Sequence, residues 1–259
     1  MPLSGADAIA VLALEETDST NAEGMRRLAG GVRSPLWITA DRQTAGRGRS
    51  GRSWGTPDGN LAGSLLFFPA CPPAALPHLS LVAGVAAFDA VAGTLDSHGQ
   101  SPASASLRLK WPNDLMAGDA KMAGILIEST TVGGSPAVVI GTGINVAVAP
   151  PIPGRAVTSL ADLGIPVRAG SIGKELLLQL TRWLGVWDGG RGFAAIRTAW
   201  LDRGCRVGER IGVNQGSERL MGDFAGLDHD GALLLAAPDG SVRRVTFGDV
   251  SVGTPQATV

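Results

Sequence analysis

Residues suited to binding an anion are concentrated in one segment, Gln43-Thr-Ala-Gly-Arg-Gly-Arg-Ser-Gly-Arg-Ser-Trp54. Arg47, Arg49 and Arg52 alternate there with glycines. Glycine lets a backbone close tightly on a ligand, and a guanidinium group offers paired hydrogen bonds to a phosphate or a carboxylate. Trp54 adds an apolar wall. The segment therefore predicts an anion-binding loop, and a flexible segment that contacts RNA or a membrane is the alternative that these residues leave open.

A second polar cluster consists of two consecutive segments, Lys110-Trp-Pro-Asn-Asp-Leu115 and Lys121-Met-Ala-Gly-Ile-Leu-Ile-Glu128. The first is predicted to end a strand and the second to begin the next, so a turn around Gly118 would bring their lysines and Asp114 together. An exposed Lys–Asp pair in an ordinary hairpin is the alternative, and such pairs contribute only about 0–1 kcal/mol. The bulky Trp-Pro pair beside Asn113 and Asp114 favours a ligand pocket.

Two further segments carry weaker signals. Gly141-Thr-Gly-Ile-Asn-Val146 is predicted to be a glycine-rich turn after an apolar strand, with the Asn145 amide available to a base or a ring. This segment lacks the lysine of a phosphate-binding P-loop. Asp18-Ser-Thr-Asn21 precedes a predicted helix, and Thr20 and Glu23 have the spacing of a capping box. Either segment, taken alone, is also compatible with a purely structural role.

The elements that must position these segments follow from apolar periodicity and from Gly and Pro. Predicted strands cover residues 9–14, 36–40, 61–68, 107–111, 124–128 and 137–140, and predicted helices cover 21–29, 76–92, 172–187 and 193–201. From residue 205 onward, short runs at 210–213, 220–227, 232–236 and 242–247 are separated by Asp-Gly turns. These runs predict a small β-barrel of about 50 residues. The expected domains are therefore residues 1–203 and 204–259.

The composition is that of a globular protein, with 44% hydrophobic residues and a net charge of −1. This near-neutral charge argues against general nucleic-acid binding, which requires a basic excess or a basic face. Cys71 and Cys205 lie in unlike contexts and suggest neither a disulfide nor a metal site, which fits a reducing cytoplasm. No signal peptide is recognisable, and no run approaches the ~18 uninterrupted apolar residues that span a bilayer, so no membrane association is expected.

Taken together and in this order, the four segments resemble the biotin–protein ligase family, with the loop 46–54 and the pair of segments in 110–128 as the most specific features. The resemblance implies an α+β fold: a catalytic domain like that of class II aminoacyl-tRNA synthetases, with a mixed sheet and flanking helices, followed by an SH3-like β-barrel. It also implies an enzyme that uses ATP with Mg²⁺ to form biotinyl-5'-AMP. Biotin would then pass to a lysine in the biotin carboxyl carrier domain of an acyl-CoA carboxylase.

Many bacterial relatives also carry an N-terminal helix-turn-helix domain. Here about eight residues precede the first predicted strand. The expectation is a stand-alone ligase form that does not bind DNA.

The resemblance further implies roles for individual residues. The biotin site would consist of Ser19, Thr20, Asn21, Gln43, Gly46, Arg47, Lys121 and Gly124. The ATP and adenylate site would consist of Arg49, Arg52, Trp54, Lys110, Asn113, Asp114 and Asn145. Lys121 and Arg49 would be catalytic, because positive charge there offsets the repulsion between the biotin carboxylate and the α-phosphate. The phosphates would hold most of the coordination of Mg²⁺, with Asp114 as its protein ligand.

Two other functions use parts of the same pattern. A lipoate–protein ligase or octanoyl transferase has a related fold and also modifies lysines, although the Arg/Gly loop ending in Trp54 argues against it. A non-enzymatic nucleic-acid-binding protein would use that loop and the barrel, but acidic residues balance the arginines of the barrel region. The loop is expected to be mobile when empty, because mutually repelling arginines leave little to hold it until an anion binds.

Overall fold

The computed structural model describes residues 9–216 and 218–252. These residues form two sheets, the first of seven strands and the second of five. The predicted domains 1–203 and 204–259 include residues 1–8, 217 and 253–259, which lie outside the described part. The first sheet and the second sheet fall on opposite sides of residue 203, and the division at that residue stays a prediction.

The first sheet is mixed and has the strand order β1-β2-β3-β7-β6-β5-β4. β1 and β2 are parallel, and every other neighbouring pair is antiparallel. The strands are β1 (Ala10–Thr17), β2 (Leu36–Gln43), β3 (Leu61–Phe67), β4 (Leu107–Lys110), β5 (Asp114–Ala117), β6 (Ala120–Val132) and β7 (Ser135–Ile144).

Helices cover both faces of this sheet. On one face, α1 (Thr20–Ala29) packs over a small apolar cluster that includes Leu28 and Val139. On the other face lie α2 (His78–Ser97), α3 (Ala169–Trp187) and α4 (Phe193–Leu201), which enclose the main hydrophobic core. The sheet thus lies between two helical layers, and the polar residues Ser19, Thr20 and Asn21 lie on the α1 side.

The helical segment Pro73–Ser97 is long and apolar enough to cross a membrane when judged by length and composition alone. Within this protein, 67% of its most apolar window is buried. A helix that is apolar all round is expected at the centre of a core, because it has no face that favours water. Its packing against α3 and α4 accounts for that composition.

The second sheet is antiparallel, with the order β11-β10-β9-β8-β12. Its strands are β8 (Arg210–Gln215), β9 (Glu218–Leu227), β10 (Leu233–Ala236), β11 (Val242–Val245) and β12 (Asp249–Val252). Its apolar side chains, such as Phe224, belong to the same core as the first sheet. The Trp111 indole N–H also donates to the Gly231 carbonyl at 3.1 Å, so the two sheets are packed together.

Three local predictions were wrong. Gly141 to Ile144 are not a turn but the last residues of β7, in the middle of the sheet. An additional strand, β5, begins within the first lysine motif at Asp114 and continues to Ala117. The side chain that caps α1 is Ser19, which accepts from the backbone N–H of Ala22, because Thr20 is already bonded to other polar groups.

Candidate active site

A cavity of about 400 Å³ opens between the Arg/Gly loop, strands β6 and β7 and the segment 152–155. Most of the predicted site residues line it, as follows: Ser19, Thr20, Asn21, Gln43, Arg47, Arg49, Arg52, Trp54, Asn113, Asp114, Lys121 and Gly124. Predicted residues between positions 19 and 124 of the chain therefore converge on one place, although that convergence does not by itself assign a role to any of them.

Uncharged polar side chains form one wall of this cavity. The Gln43 side-chain oxygen accepts from the Thr20 backbone N–H at 2.8 Å, and the Gln43 amide nitrogen donates to Thr56 Oγ1 at 2.9 Å. Ser64 Oγ, which is fully buried, lies 2.7 Å from both Thr20 Oγ1 and Asn21 Oδ1. Ser64 and Thr56 were not predicted, although a serine inside the otherwise apolar strand β3 was an available signal. We call Thr20, Asn21 and Gln43, together with Ser64 buried behind them, the polar wall.

Glycines in β6 and β7 give side chains room against the sheet. A Cβ at Gly141 would lie 2.1 Å from Asn21 Oδ1, and a Cβ at Gly143 would lie 2.2 Å from Trp54 Nε1. A Cβ at Gly124 would lie 3.2 Å from the Trp54 ring. These glycines serve close approach rather than a turn, because the backbone there is ordinary strand.

Asp114 holds the two lysines together. Lys121 Nζ lies 2.5 Å from one carboxylate oxygen and Lys110 Nζ lies 3.1 Å from the other. Burial opposes ionisation of Asp114, but the two ammonium groups hold the pKa of its carboxyl below the ordinary value. Burial lowers the pKa of Lys121, and Asp114 offsets only part of this effect. Lys121 Nζ also lies 5.3 Å from the centre of the Trp54 ring, so its charge faces the cavity.

The donor set does not fit a metal ion held by the protein. Both oxygens of Asp114 are engaged by ammonium groups, which leaves the predicted metal-ligand role without support. Elsewhere in the described residues, Asp228, His229 and Asp230 bring potential ligand atoms together, but Arg244 already pairs with both of these carboxylates.

Each arginine of the loop has a partner. Arg47 Nη2 lies 3.3 Å from Glu128 Oε1, Arg49 Nη1 donates to Asn113 Oδ1 at 3.2 Å, and Arg52 pairs with Asp249 of β12. We expected little to hold the empty loop, and the physical reason given for this was wrong. Carboxylates on β6 and β12 neutralise two of the arginines, and the Asn113 amide oxygen accepts from Arg49. Ordering of the loop by ligand stays a prediction.

Three predicted residues do not line the cavity. Lys110 forms an ion pair with Asp114, which does line the cavity. Gly46 accepts a hydrogen bond within the loop, from the Trp54 N–H to its carbonyl at 2.8 Å. Asn145 is buried and donates its amide to the Thr158 carbonyl at 3.0 Å, so it fastens the segment after β7 rather than facing a ligand.

The mixed sheet with helices on both faces carries a cavity lined by cationic groups, and a five-stranded sheet is packed beside it. Residues 14–145 match the Biotin/lipoate A/B protein ligase family, and residues 207–253 match the Biotin protein ligase C terminal domain. The chain is 40% identical to biotin–[acetyl-CoA-carboxylase] ligase of Paracoccus denitrificans, over 88% of this chain and 94% of that protein. The chain belongs to the biotin protein ligase family.

Other relatives and solved structures agree. The bifunctional ligase/repressor BirA of Escherichia coli is 33% identical over 95% of this chain and 75% of its own length. Biotin protein ligase from Aquifex aeolicus in complex with biotin and ATP is 25% identical, with a TM-score of 0.75 over 95% of this chain and 99% of that chain. The Leishmania major enzyme in complex with biotinyl-5-AMP is 26% identical, with a TM-score of 0.60 over 91% of this chain and 98% of that one. The predicted fold is confirmed.

Proposed function

We propose that this chain activates biotin with ATP as biotinyl-5'-AMP and transfers biotin to a lysine of an acceptor protein. The observation that carries the proposal is a single cavity of about 400 Å³ in which an uncharged hydrogen-bonding wall adjoins Lys121 and the arginine loop. Biotin has the matching pair of features, a neutral ureido ring and a carboxylate. The relatives named above, together with the bound biotin and ATP in the Aquifex aeolicus structure, support the same assignment.

The ureido ring is assigned to the polar wall. A cyclic urea presents one acceptor and two donors, and short hydroxyl and amide groups satisfy both kinds without a charge. Ser19 lies beside the wall at the start of α1. Arg47 and Gly124 border this subsite through the loop and β6. Gly46 lies behind it, where an added Cβ would meet the Trp54 carbonyl and the Gln43 amide.

In the first half-reaction a carboxylate oxygen of biotin attacks the α-phosphorus of ATP, and pyrophosphate leaves. Lys121 and Arg49 offset the repulsion between the two anions and stabilise the charge that develops on the phosphoryl oxygens. Mg²⁺ arrives bound to the phosphates of ATP. Trp54 is assigned to the adenine side, and Asn145 supports that side indirectly by holding the segment after β7 through the Thr158 carbonyl. Arg52, Asn113 and Asp114 are assigned to the phosphate side, where Lys110 pairs with Asp114 from outside the cavity.

In the second half-reaction the amine of the acceptor lysine attacks the acyl carbon of the anhydride, and AMP leaves. This step needs no nucleophile from the enzyme, and in the described part of the chain no histidine lines the cavity. The proposed acceptor is a biotin carboxyl carrier domain of an acyl-CoA carboxylase, as the name of the Paracoccus denitrificans relative suggests. We further propose a cytoplasmic enzyme that does not bind DNA, in keeping with its net charge of −1.

The proposal is tested by incubating the purified chain with biotin, ATP, Mg²⁺ and a carrier domain, and by detecting biotin on the carrier with streptavidin. A carrier whose target lysine is replaced by arginine is the matched control. Labelling that requires ATP and the target lysine is expected. A carrier that takes up lipoate or octanoate but not biotin would transfer the assignment to the related lipoate ligases.

A further inference from the structure

Glu128 on β6 is a carboxylate beside the proposed biotin site that has no role in the reaction described above. Its Oε2 accepts from the Asn21 amide at 2.8 Å, and its Oε1 lies 3.3 Å from Arg47 Nη2. Its side chain is 27% exposed and that of Arg47 is 50% exposed, whereas Asn21 is buried. Glu128 therefore touches the polar wall and the arginine loop at the same time.

The carboxylate fixes which atoms of the wall donate. An ionised carboxylate can only accept, so Glu128 at 2.8 Å, together with the more distant Leu126 carbonyl at 3.3 Å, holds the Asn21 NH₂ group toward β6 and leaves Asn21 Oδ1 facing Ser64. The hydroxyl of Ser64 has a single proton, and it donates this proton in a hydrogen bond to Asn21 Oδ1 at 2.7 Å. Ser64 Oγ is left as an acceptor for Thr20, and the direction of the hydrogen bonds is set along the wall.

The other end of the chain of hydrogen bonds is fixed as well. The Thr20 backbone N–H can only donate, and it directs the carbonyl oxygen of Gln43 toward itself at 2.8 Å. Between these two ends, an amide flip at Asn21 is the change that would reverse the pattern. Glu128 opposes that flip, since the reversed amide would place an oxygen against a carboxylate.

The same carboxylate secures the loop. Arg47 belongs to the short ladder of the loop, in which its backbone bridges to Ser53. Its contact with Glu128 fastens this ladder to β6, and the contact between Arg52 and Asp249 fastens it to β12.

We infer that Glu128 is a positioning residue that sets the donor and acceptor pattern of the polar wall and fastens the arginine loop to it. This inference rests on the proposed biotin subsite. Loss of the carboxylate then has two separable effects, one on the empty loop and one on recognition of the ureido ring.

The first test needs no ligand. Glu128→Gln keeps the shape and an acceptor for Asn21 but cannot neutralise Arg47. Limited trypsin digestion, with mass spectrometry to locate the cuts, reports cleavage after the loop arginines. Cleavage there is expected to be about two- to fivefold faster than in the wild type, the range for loss of a partly exposed ion pair. Glu218→Gln is the matched control, because it removes an exposed ion pair with Arg243 on the second sheet. Its arginine loop should be cleaved at the wild-type rate.

The second test separates positioning from general damage. In biotin-dependent pyrophosphate exchange, Glu128→Ala is expected to raise the KM for biotin about tenfold, the effect of losing a charge-assisted hydrogen bond, while kcat changes less than about twofold. Binding of 2-iminobiotin, in which a C=NH group replaces the ureido carbonyl, should weaken less than binding of biotin. A merely structural defect would weaken both ligands equally.

Unchanged loop cleavage in Glu128→Gln together with an unchanged KM for biotin in Glu128→Ala would overturn the inference. If Glu128→Ala fails to fold, loop cleavage in Glu128→Gln decides, and an unchanged rate there overturns the inference. Absence of exchange in the wild type would overturn the proposed function instead, and the digestion experiment would still decide whether Glu128 holds the loop.

Discussion

In the proposed mechanism, Lys121 carries the charge on which the first half-reaction depends. It is the lysine whose ammonium group faces the cavity, held there by Asp114 at 2.5 Å. Lys121→Ala is expected to lower adenylate formation by about 100- to 1,000-fold, the range for removal of one preorganised stabilising group. Lys174→Ala, at an exposed position of α3, is the control. Single-turnover formation of biotinyl-5'-AMP measures both, and a fully active Lys121→Ala would remove this residue from the mechanism.

The pH dependence of the same step follows from the direction of the pKa shift. Burial lowers the pKa of Lys121, so its ammonium form is lost at a lower pH than that of an exposed lysine. Adenylate formation is therefore expected to fall as pH rises through that lowered value. Lys121→Arg keeps its charge and should be slower at neutral pH but should lack the alkaline fall. The same alkaline limb in both proteins would show that another group causes it.

At the scale of an element, Trp54 packs directly against the backbone of β7. The strand has no side chain at Gly143, and an added Cβ would lie 2.2 Å from the indole nitrogen. Gly143→Ala is expected to displace Trp54 and to raise the KM for ATP about three- to tenfold, the range for a lost aromatic contact. Gly93→Ala in α2, where nothing lies within 4 Å of the new Cβ, is the control. An unchanged KM for ATP in Gly143→Ala would place adenine elsewhere.

The elements that the sequence predicts best are those with a long local pattern. α4 (Phe193–Leu201) has the predicted bounds, and α3 ends at Trp187 as predicted, because apolar residues recur at helical spacing. β5 and β12 were not predicted, because each has only four residues and begins with an aspartate, whereas the equally short β4, β10 and β11 begin with an apolar residue. The glycines of β7 were misassigned to a turn, since a glycine that makes room for Asn21 or Trp54 has the same sequence signal as a glycine that turns the chain.

At the scale of the whole molecule, the second sheet completes the site. Arg52 and Asp249 meet although 197 residues separate them in the chain. Arg155, from the segment after β7, lies 3.5 Å from the same carboxylate. The loop arginines were predictable from their local spacing, whereas Asp249 and Arg155 were not, because tertiary packing alone brings them together.

The packing of the two sheets against each other can be tested by how fast a buried thiol is alkylated. Cys205 follows α4, is 4% exposed and lies in the shared core. Burial raises its pKa to about 11. Cys71 is half-buried, and burial raises its pKa as well. Iodoacetamide at neutral pH is expected to alkylate Cys71 first and Cys205 only after denaturant separates the sheets. Mass spectrometry of the two peptides measures this, and equal rates in the native protein would contradict the packed junction.

The proposed activation of biotin as biotinyl-5'-AMP is tested most directly by biotin-dependent exchange of labelled pyrophosphate into ATP in the presence of Mg²⁺. It isolates the first half-reaction and needs no acceptor protein. We expect exchange with biotin and none with lipoate or octanoate, because the polar wall is proposed to bind a ureido ring. Exchange with lipoate in place of biotin, or no exchange by the folded protein, would contradict it.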